Sequence, residues 1–324
     1  MTNEDKLIQK LKDENTQLRK FKRDMLRYEN SLEEVVSDNL ARNIFKPYKY
    51  KEDKEKESVN GTCLFLSDIH INKKVNKSMV SVNEFNLEVL NLRVKEIIKQ
   101  TVEYKYKTKN LDIFLGGDIL DGIIHNGNIK GDMGIVGQQE YMYNMIMNIV
   151  MECSRHYNKI RLHCVMGNHS RVTPHIEYDR KFEDFEYIVY LNIEREFKHH
   201  KNFEINISRN GYLLKDINNK TICLMHGDQD RGFKANSKGL AALQTKLDYL
   251  FKKHTNHLLV GHFHYPTTAD SGFGGKIIQN ASVPGMDEYT LGSGFAPARP
   301  SQTLFCVNKN GDIENIHQFY LDVK

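Results

Sequence analysis

No C-x-x-C pair occurs among the five cysteines (Cys63, Cys153, Cys164, Cys223 and Cys306), and their number is odd. That argues against a disulfide framework and against a clustered structural zinc site. No uncharged apolar run reaches the roughly 18 residues of a membrane span, and the opening MTNEDKLIQKLKDEN lacks the apolar stretch of a signal peptide. The expectation is a soluble, cytoplasmic chain with no membrane partner. Charge of one sign is also scarce: 46 basic against 42 acidic side chains leave a net charge of +4, which permits contact with a polyanion without requiring it. Internal repeats and low-complexity tracts are absent.

What is present is ordinary globular material, 40% hydrophobic and 27% charged over 324 residues, enough for one large domain with an appendage or for two small ones. Between Leu7 and Val35 a heptad repeat places Leu7, Phe21, Tyr28 and Val35 at one core position and Leu11, Leu18, Met25 and Leu32 at the other, with Glu14 as the one interruption. Charged residues border the stripe, as in an intermolecular coiled coil; the alternative is an amphipathic helix folded back on the body. Residues 1–45 are therefore expected to form a helical oligomerisation segment, giving a homodimer or another homo-oligomer. Residues 46–61, KPYKYKEDKEKESVNG, read as a charged linker.

Beyond the linker, short apolar runs alternate with longer helical stretches, the pattern of a layered α/β domain over residues 62–324. Strands are predicted at Cys63–Ser67, Leu111–Leu115, Ile160–Val165, Thr221–Met225 and His257–Val260. Helices are predicted at about Val80–Tyr106, Val136–Tyr157, Tyr178–His199 and Ser237–Lys253. After Gly274, KIIQNASV and TLFCVNKNGDIENIHQFYLDV with an Asn310-Gly311 turn predict antiparallel strands.

The 14 histidines are placed unevenly. Five apolar runs each end in a polar cluster: FLSDIH (Asp68, His70), FLGGDILDG (Asp118, Asp121), VMGNHSR (Asn168, His169, Arg171), LMHGDQD (His226, Asp228, Asp230) and LVGHFHYP (His262, His264). In an open α/β sheet such clusters converge outside the carboxyl ends of the strands. Their carboxylate, imidazole and amide groups form a donor set for two divalent transition metals.

In their order DIH, GDILD, GNH, MHG, GHFH, these motifs resemble those of the calcineurin-like metallophosphoesterases. The resemblance implies a four-layer α/β/β/α sandwich. It implies one metal held by Asp68, His70, Asp118 and His264 and a second held by Asp118, Asn168, His226 and His262, with Asp118 bridging. Mn²⁺ is the expected ion, with Fe, Zn, Ni or Mg as alternatives, and a hydroxide bridging the pair is the expected nucleophile. By the same resemblance His169 becomes a general acid or transition-state donor. Asp121 orients it, unless Asp121 is a helix N-cap. Arg171 and His175 are candidates to touch substrate phosphate, although Arg171 could equally pair with the acidic segment at Glu183 and Asp184; Asp228 and Asp230 read as structural.

Protein phosphatases of this superfamily usually carry Arg after the second motif aspartate and Glu after G-N-H; Gly122 and Ser170 stand there instead. The DNA double-strand-break repair nucleases often carry an acid after G-N-H, from which Ser170 also departs, yet they are the branch most resembled. Three features favour a nuclease with a nucleic-acid partner: the self-associating segment, Tyr interleaved with Lys in KPYKYK and EYKYKTK, and a Gly- and Pro-bearing stretch from Ser282 to Pro300 able to shape access to the metals. The alternatives are a nucleotide or cyclic-nucleotide phosphodiesterase or phosphatase and, from another class, an idle scaffold that works through its coiled coil.

Overall fold

The computed structural model describes residues 61–322, apart from 79, 81–82, 125–130, 176–180, 230–236, 272–273 and 293–297, together with residues 9, 12, 15, 16, 19, 20 and 23. The chain divides into two compact units, Met1–Glu55 and Lys56–Lys324. In the first, the seven described residues are helical and exposed. The apolar heptad positions from Leu7 to Val35, and residues 46–60 of the expected linker, lie outside the described residues. Gly61, the last residue assigned to that linker, is instead buried and opens the first strand.

In the second unit, strands β1 (Gly61–Leu66), β2 (Asn110–Leu115), β3 (Lys159–Cys164) and β4 (Phe203–Ile207) run parallel, and β10 (Ser301–Val307) and β11 (Ile313–Tyr320) extend that sheet antiparallel beyond β1. A second sheet has the order β5 (Tyr212–Ile217), β6 (Lys220–Met225), β7 (His257–Val260), β9 (Lys276–Gln279) and β8 (Thr267–Asp270). The period-two alternation of side chains decides how they stack. Cys63, Phe65, Phe114, Phe305, Ile222, Leu224, Leu259 and Ile278 meet between the sheets. Cys223, Met225, Leu258 and Val260 face the opposite way, onto Leu243 and Leu247 of α4 (Ser237–Phe251). Helices α1 (Leu87–Val102), α2 (Ile135–Ser154) and α3 (Phe185–Phe197) are associated with the first sheet, completing the α/β/β/α order. Strands buried on both faces need near-continuous apolar runs, and β1 is buried at every residue.

Helix starts differ from the sequence expectation where a cap sets them. α1 begins at Leu87 rather than Val80 because Asn86 accepts the Val89 amide hydrogen at 3.0 Å. α3 begins at Phe185 rather than Tyr178 because Asp184 accepts from Glu186 N at 2.8 Å. Strands β4, β5 and β8 were not anticipated: each lies at a sheet edge, and none has the continuous apolar run of a central strand. The β5–β6 hairpin turns through Asn218 and Asn219, both at positive φ (47° and 67°). A short helix, α5 (Glu288–Gly292), interrupts the stretch from Ser282 to Pro300 that the sequence presented as a loop.

The carboxyl ends of β1, β2, β3, β6 and β7 lead directly into the five polar clusters. EYKYKTK, residues 103–109, enters β2 from its amino end, roughly 20 Å along the strand from the cluster at its other end. Tyr104 there is buried, its hydroxyl donating to Asn315 O. That segment therefore does not border the clusters. Among the described residues no helix is long and apolar enough to cross a membrane.

His257, at the start of β7, has a fixed tautomer. Its Nε2–H donates to Gly311 O at 2.8 Å and its Nδ1 accepts from Lys276 N at 2.9 Å. Burial lowers its pKa from 6.5 to about 4. Protonation therefore favours the unfolded chain, so the stability contributed by neutral His257 is full above about pH 6.5 and is lost as the pH falls towards 4, by ~3 kcal/mol. Urea titrations of wild type and His257→Gln across this range should show the difference between them shrinking or reversing in acid as wild type alone loses that increment.

Candidate metal centre

The loops after β1 and β2 continue side by side beyond their strands. Asp68 N donates to Gly117 O, His70 N to Asp118 O and Ile71 N to Ile119 O, at 3.0, 3.0 and 2.8 Å. This backbone ladder holds Asp68, His70 and Asp118 at φ of 53°, 50° and 51°, and His262 and His264 lie at 69° and 56°. Five of the expected ligands thus occupy the left-handed region, which L-residues adopt rarely and Asp and His more readily than most, at a cost of order 1 kcal/mol each. Such strain persists only where the surroundings over-determine it, and here it turns the side chains off the strand ends into a common space.

Asp118 is the shared member. Its Oδ1 accepts from Asn168 N and His169 N at 2.7 and 2.8 Å, and its Oδ2 lies 3.1 Å from His226 Nε2. Asp68 accepts from His262 N at 2.9 Å and lies 3.4 Å from His264 Nε2. Among the described residues, donor atoms gather in three overlapping groups, Asp68–His70–His264, His70–Asp118–His169 and Asp118–His226–His262, each within 4.8 Å. Asn168 Oδ1 joins the last group, 3.0 Å from His226 Nε2. The two four-residue ligand sets expected from sequence are brought together around Asp118.

The chemistry of this donor set fits cations. Gly116 O can only accept, so His226 Nδ1, at 2.8 Å, carries a hydrogen; its Nε2 lone pair then faces Asp118 Oδ2 and Asn168 Oδ1, both acceptors. His70 likewise directs Nδ1 to Asp121 Oδ1 at 3.2 Å, leaving its Nε2 against His264 Nε2 at 3.1 Å. The lone pairs of His226, Asp118 and Asn168 converge without a hydrogen between them and require positive charge. With protons alone to supply it, the Asp118 carboxylate overcomes the opposing effect of burial and drives His226 up to about 10. Burial and then His169 push His70 down to about 4; burial and then His226 do the same for His262. Neutral imidazoles are the form that ligates metal.

His169 is partly exposed beside these groups. Its Nδ1 lies 3.2 Å from Asp121 O and 3.5 Å from Asp121 Oδ1, and its Nε2 is 3.9 Å from Asp118 Oδ2. Although burial opposes it, Asp118 and then Asp121 raise the His169 pKa. Burial works against ionised Asp121 too, but hydrogen bonds with His169 and His70 lower its pKa. Asp121 caps no helix, since α2 starts at Ile135 with Gly134 before it. Arg171 does not pair through its guanidinium with Glu183 or Asp184. It donates to Asn168 O and, at 3.0 Å, to Pro174 O, bracing the loop that carries Asn168. His175 is exposed, with its carbonyl accepting from Thr173 Oγ1 at 2.7 Å. Asp228 forms a buried ion pair with Lys181 at 2.6 Å, and Asp230 lies outside the described residues.

Two glycines are demanded by this geometry. A Cβ at Gly167 would fall 1.9 Å from Asp118 Oδ1, and one at Gly122, which has φ of 71°, would fall 2.0 Å from His169 O. An arginine could not replace Gly122 without moving His169.

The residue that sequence reasoning missed is Glu186. Fully buried in the first turn of α3, its Oε1 accepts from Ile119 N and Leu120 N at 2.7 and 3.1 Å, and its Oε2 accepts from Gly167 N at 3.3 Å. It ties the G-D-x-x-D loop to the G-N-H loop. Asp184, the cap of the same helix, takes the Ser170 hydroxyl at 2.9 Å. Glu186 falls on one apolar stripe with Val189, Tyr190, Ile193 and Phe197, and an acid on such a stripe is a readable signal. Lys73, three residues beyond His70, pairs with buried Asp287 and so fastens the Ser282–Pro300 stretch to this end of the sheet.

Glu186→Ala would leave three buried amides without acceptors. It should lower stability by about 3 kcal/mol or more and weaken Mn²⁺ binding at least tenfold; calorimetric Mn²⁺ titration of the folded variant checks the second effect.

Residues 61–287 match the family described as Calcineurin-like phosphoesterase. The SPbeta prophage-derived uncharacterized protein YonJ of Bacillus subtilis (strain 168) is 25% identical over 274 residues, which cover 79% of this chain and 65% of that protein's length. Among solved structures, Vps29 of Entamoeba histolytica complexed with zinc aligns at a TM-score of 0.36 and 14% identity, over 81% of this chain and 99% of that one. A metallophosphoesterase from Sphaerobacter thermophilus aligns at 0.34 and 15%, over 80% and 89%. The family match runs from β1 to Asp287 and encloses all five motifs, so the chain belongs to the calcineurin-like phosphoesterases.

Proposed function

We propose that the chain hydrolyses phosphodiester bonds in DNA, as a nuclease that uses two divalent cations. The observation that carries the reaction type is Asp118, shared between two groups of imidazole and carboxylate donors, with His169 beside it on the side open to solvent. Asp68, His70, Asp118 and His264 would hold one cation, and Asp118, Asn168, His226 and His262 the other. Mixed imidazole and carboxylate donors accept several first-row ions, Mn²⁺ among them. Two such cations supply Lewis acidity and neutralise charge in an in-line displacement.

The chain's own residues do the rest. Asp118 and Glu186 fix the G-N-H loop by its backbone amides, which sets where the His169 imidazole stands. Asp121 accepts at Nδ1 and favours the protonated ring. His169 then holds a proton ready for the departing alkoxide of a nucleoside. As the pH rises past the pKa of His169, that proton and the rate are lost. The nuclease reading is supported by the order of the five motifs, which resembles that of the repair-nuclease branch, and by the partial exposure of His169, His262 and His264, which opens the donor cluster to a large substrate.

Nucleoside leaving groups need protonation and p-nitrophenolate does not. His169→Ala should therefore lower kcat on Mn²⁺-dependent oligonucleotide cleavage by ~10²-fold or more, lower it much less on bis(p-nitrophenyl) phosphate, and remove the alkaline limb of the pH profile. Equal losses on both substrates would contradict the acid role. Hydrolysis of cyclic nucleotides or nucleotide monophosphates in preference to DNA would replace the nuclease reading. We also propose that the N-terminal heptads join chains into a dimer. Light scattering should give twice the chain mass for the full protein and a single chain mass once residues 1–45 are removed.

A further inference from the structure

Arg93 stands where an apolar residue would be expected. It lies on the buried stripe of α1 with Leu90, Val94 and Ile97, and only 5% of it is exposed. Asp322, the acid whose charge reaches it, is paired with Arg299 instead, and among the described residues the Arg93 Nε has no hydrogen-bond partner. A buried cation without a paired carboxylate is costly, and an apolar side chain of similar volume would fill the stripe without that penalty. What the guanidinium does there is hold main-chain carbonyls. Its Nη1 donates to Val283 O at 2.5 Å and to Pro284 O at 3.0 Å, while the Phe85 ring centroid lies 5.3 Å from its Cζ. Val283 is bonded on its other side to the first metal-binding motif, because its N–H donates to Asp68 O at 2.9 Å. One residue thus joins Arg93 to Asp68.

We propose that Arg93 is a positioning residue for the first cation, holding the Asp68 main chain in its left-handed conformation through Val283 so that the Asp68 carboxylate stays aimed at that cation. The proposal rests on the two-cation reading and adds to it a residue that touches no ligand side chain. Asp68, at φ of 53°, is gripped at both of its main-chain groups: its N–H donates to Gly117 O at 3.0 Å, and its carbonyl accepts from Val283. Removing the second grip leaves the strained residue held from one side. Other ties reach the same segment without touching Val283, since Asn83 Nδ2 donates to Pro284 O at 2.8 Å and to Met286 O at 2.5 Å, and Lys73 pairs with Asp287. Arg93 is the counterpart of Glu186. Each is a charged side chain on the apolar stripe of a helix, and each binds main-chain groups, Glu186 accepting from the amides of two site loops and Arg93 donating to the carbonyls of the segment that braces Asp68. Asp68 belongs to one ligand set only, so a loss at Arg93 falls on the first cation and spares the second.

The test uses the full chain, with Mn²⁺ binding followed by calorimetry and by electron paramagnetic resonance. Arg93→Met keeps the stripe filled and removes both hydrogen bonds. It should bind one Mn²⁺ as wild type does and the other about tenfold to a hundredfold more weakly, so that the signal of a coupled pair appears only at the higher Mn²⁺ concentration. Arg93→Lys, which keeps a donor for the carbonyls, should recover most of the lost affinity. Asn83→Ala loosens the same segment but leaves Val283 alone, and should bind both ions nearly as wild type does. Unchanged Mn²⁺ binding in Arg93→Met, equal weakening of both ions, or a loss in Asn83→Ala as large as that in Arg93→Met would overturn the role of Arg93. Should Arg93→Met fail to fold, Arg93→Gln takes its place: an intermediate loss confined to one ion supports the role, and no loss overturns it. A wild-type chain that binds fewer than two Mn²⁺ would instead overturn the two-cation reading beneath it.

Discussion

The carboxylate of Asp118 is the point on which this protein's architecture turns. One oxygen takes the amides of Asn168 and His169 and thereby fixes the G-N-H loop. The other faces His226, across the gap from the first sheet to the second. A buried carboxylate would be costly in isolation. Here hydrogen bonds and neighbouring imidazoles keep it ionised against burial, and its charge is what the surrounding donors are arranged to share.

Holding it there demands strain, and the strain is distributed. Five ligand-bearing residues sit at positive φ, so no single loop could keep its conformation unaided. The parallel ladder between the loops after β1 and β2 supports three of them. Glu186 and Asp184, at the start of α3, brace the G-D-x-x-D and G-N-H loops from behind. On the other side Asp68 receives the His262 amide and so couples the first motif to the last. The two sheets, packed through Phe65, Phe114, Leu259 and Phe305, keep these separately strained loops in one register. Stability of the sandwich and geometry of the site are therefore one property.

Much of this was legible in the sequence because parallel strands announce themselves twice, by a buried apolar run and by the polar cluster after it. β1, β2, β3, β6 and β7 have both marks, and their motifs name the ligands. β4, β5 and β8 have neither: they pair along a sheet edge, where polar residues are tolerated and the pattern fades. Asn86 and Asp184 set helix starts that apolar spacing alone placed seven residues too early. EYKYKTK looked suited to phosphate contact by composition, yet chain order puts it at the far end of β2 from the metals. Glu186 escaped because its role is to bind backbone amides of two distant loops, a task that leaves no motif. The lone acid on an apolar helix face was its one trace.

Whether Asp118 joins two cation sites into one centre is decided by Mn²⁺ stoichiometry read together with electron paramagnetic resonance. Wild type should bind two Mn²⁺ per chain with an exchange-coupled spectrum, and Asp118→Ala should lose both the coupling and at least one equivalent of bound metal. Two magnetically independent ions in wild type, or full and unchanged binding in Asp118→Ala, would contradict a single shared centre.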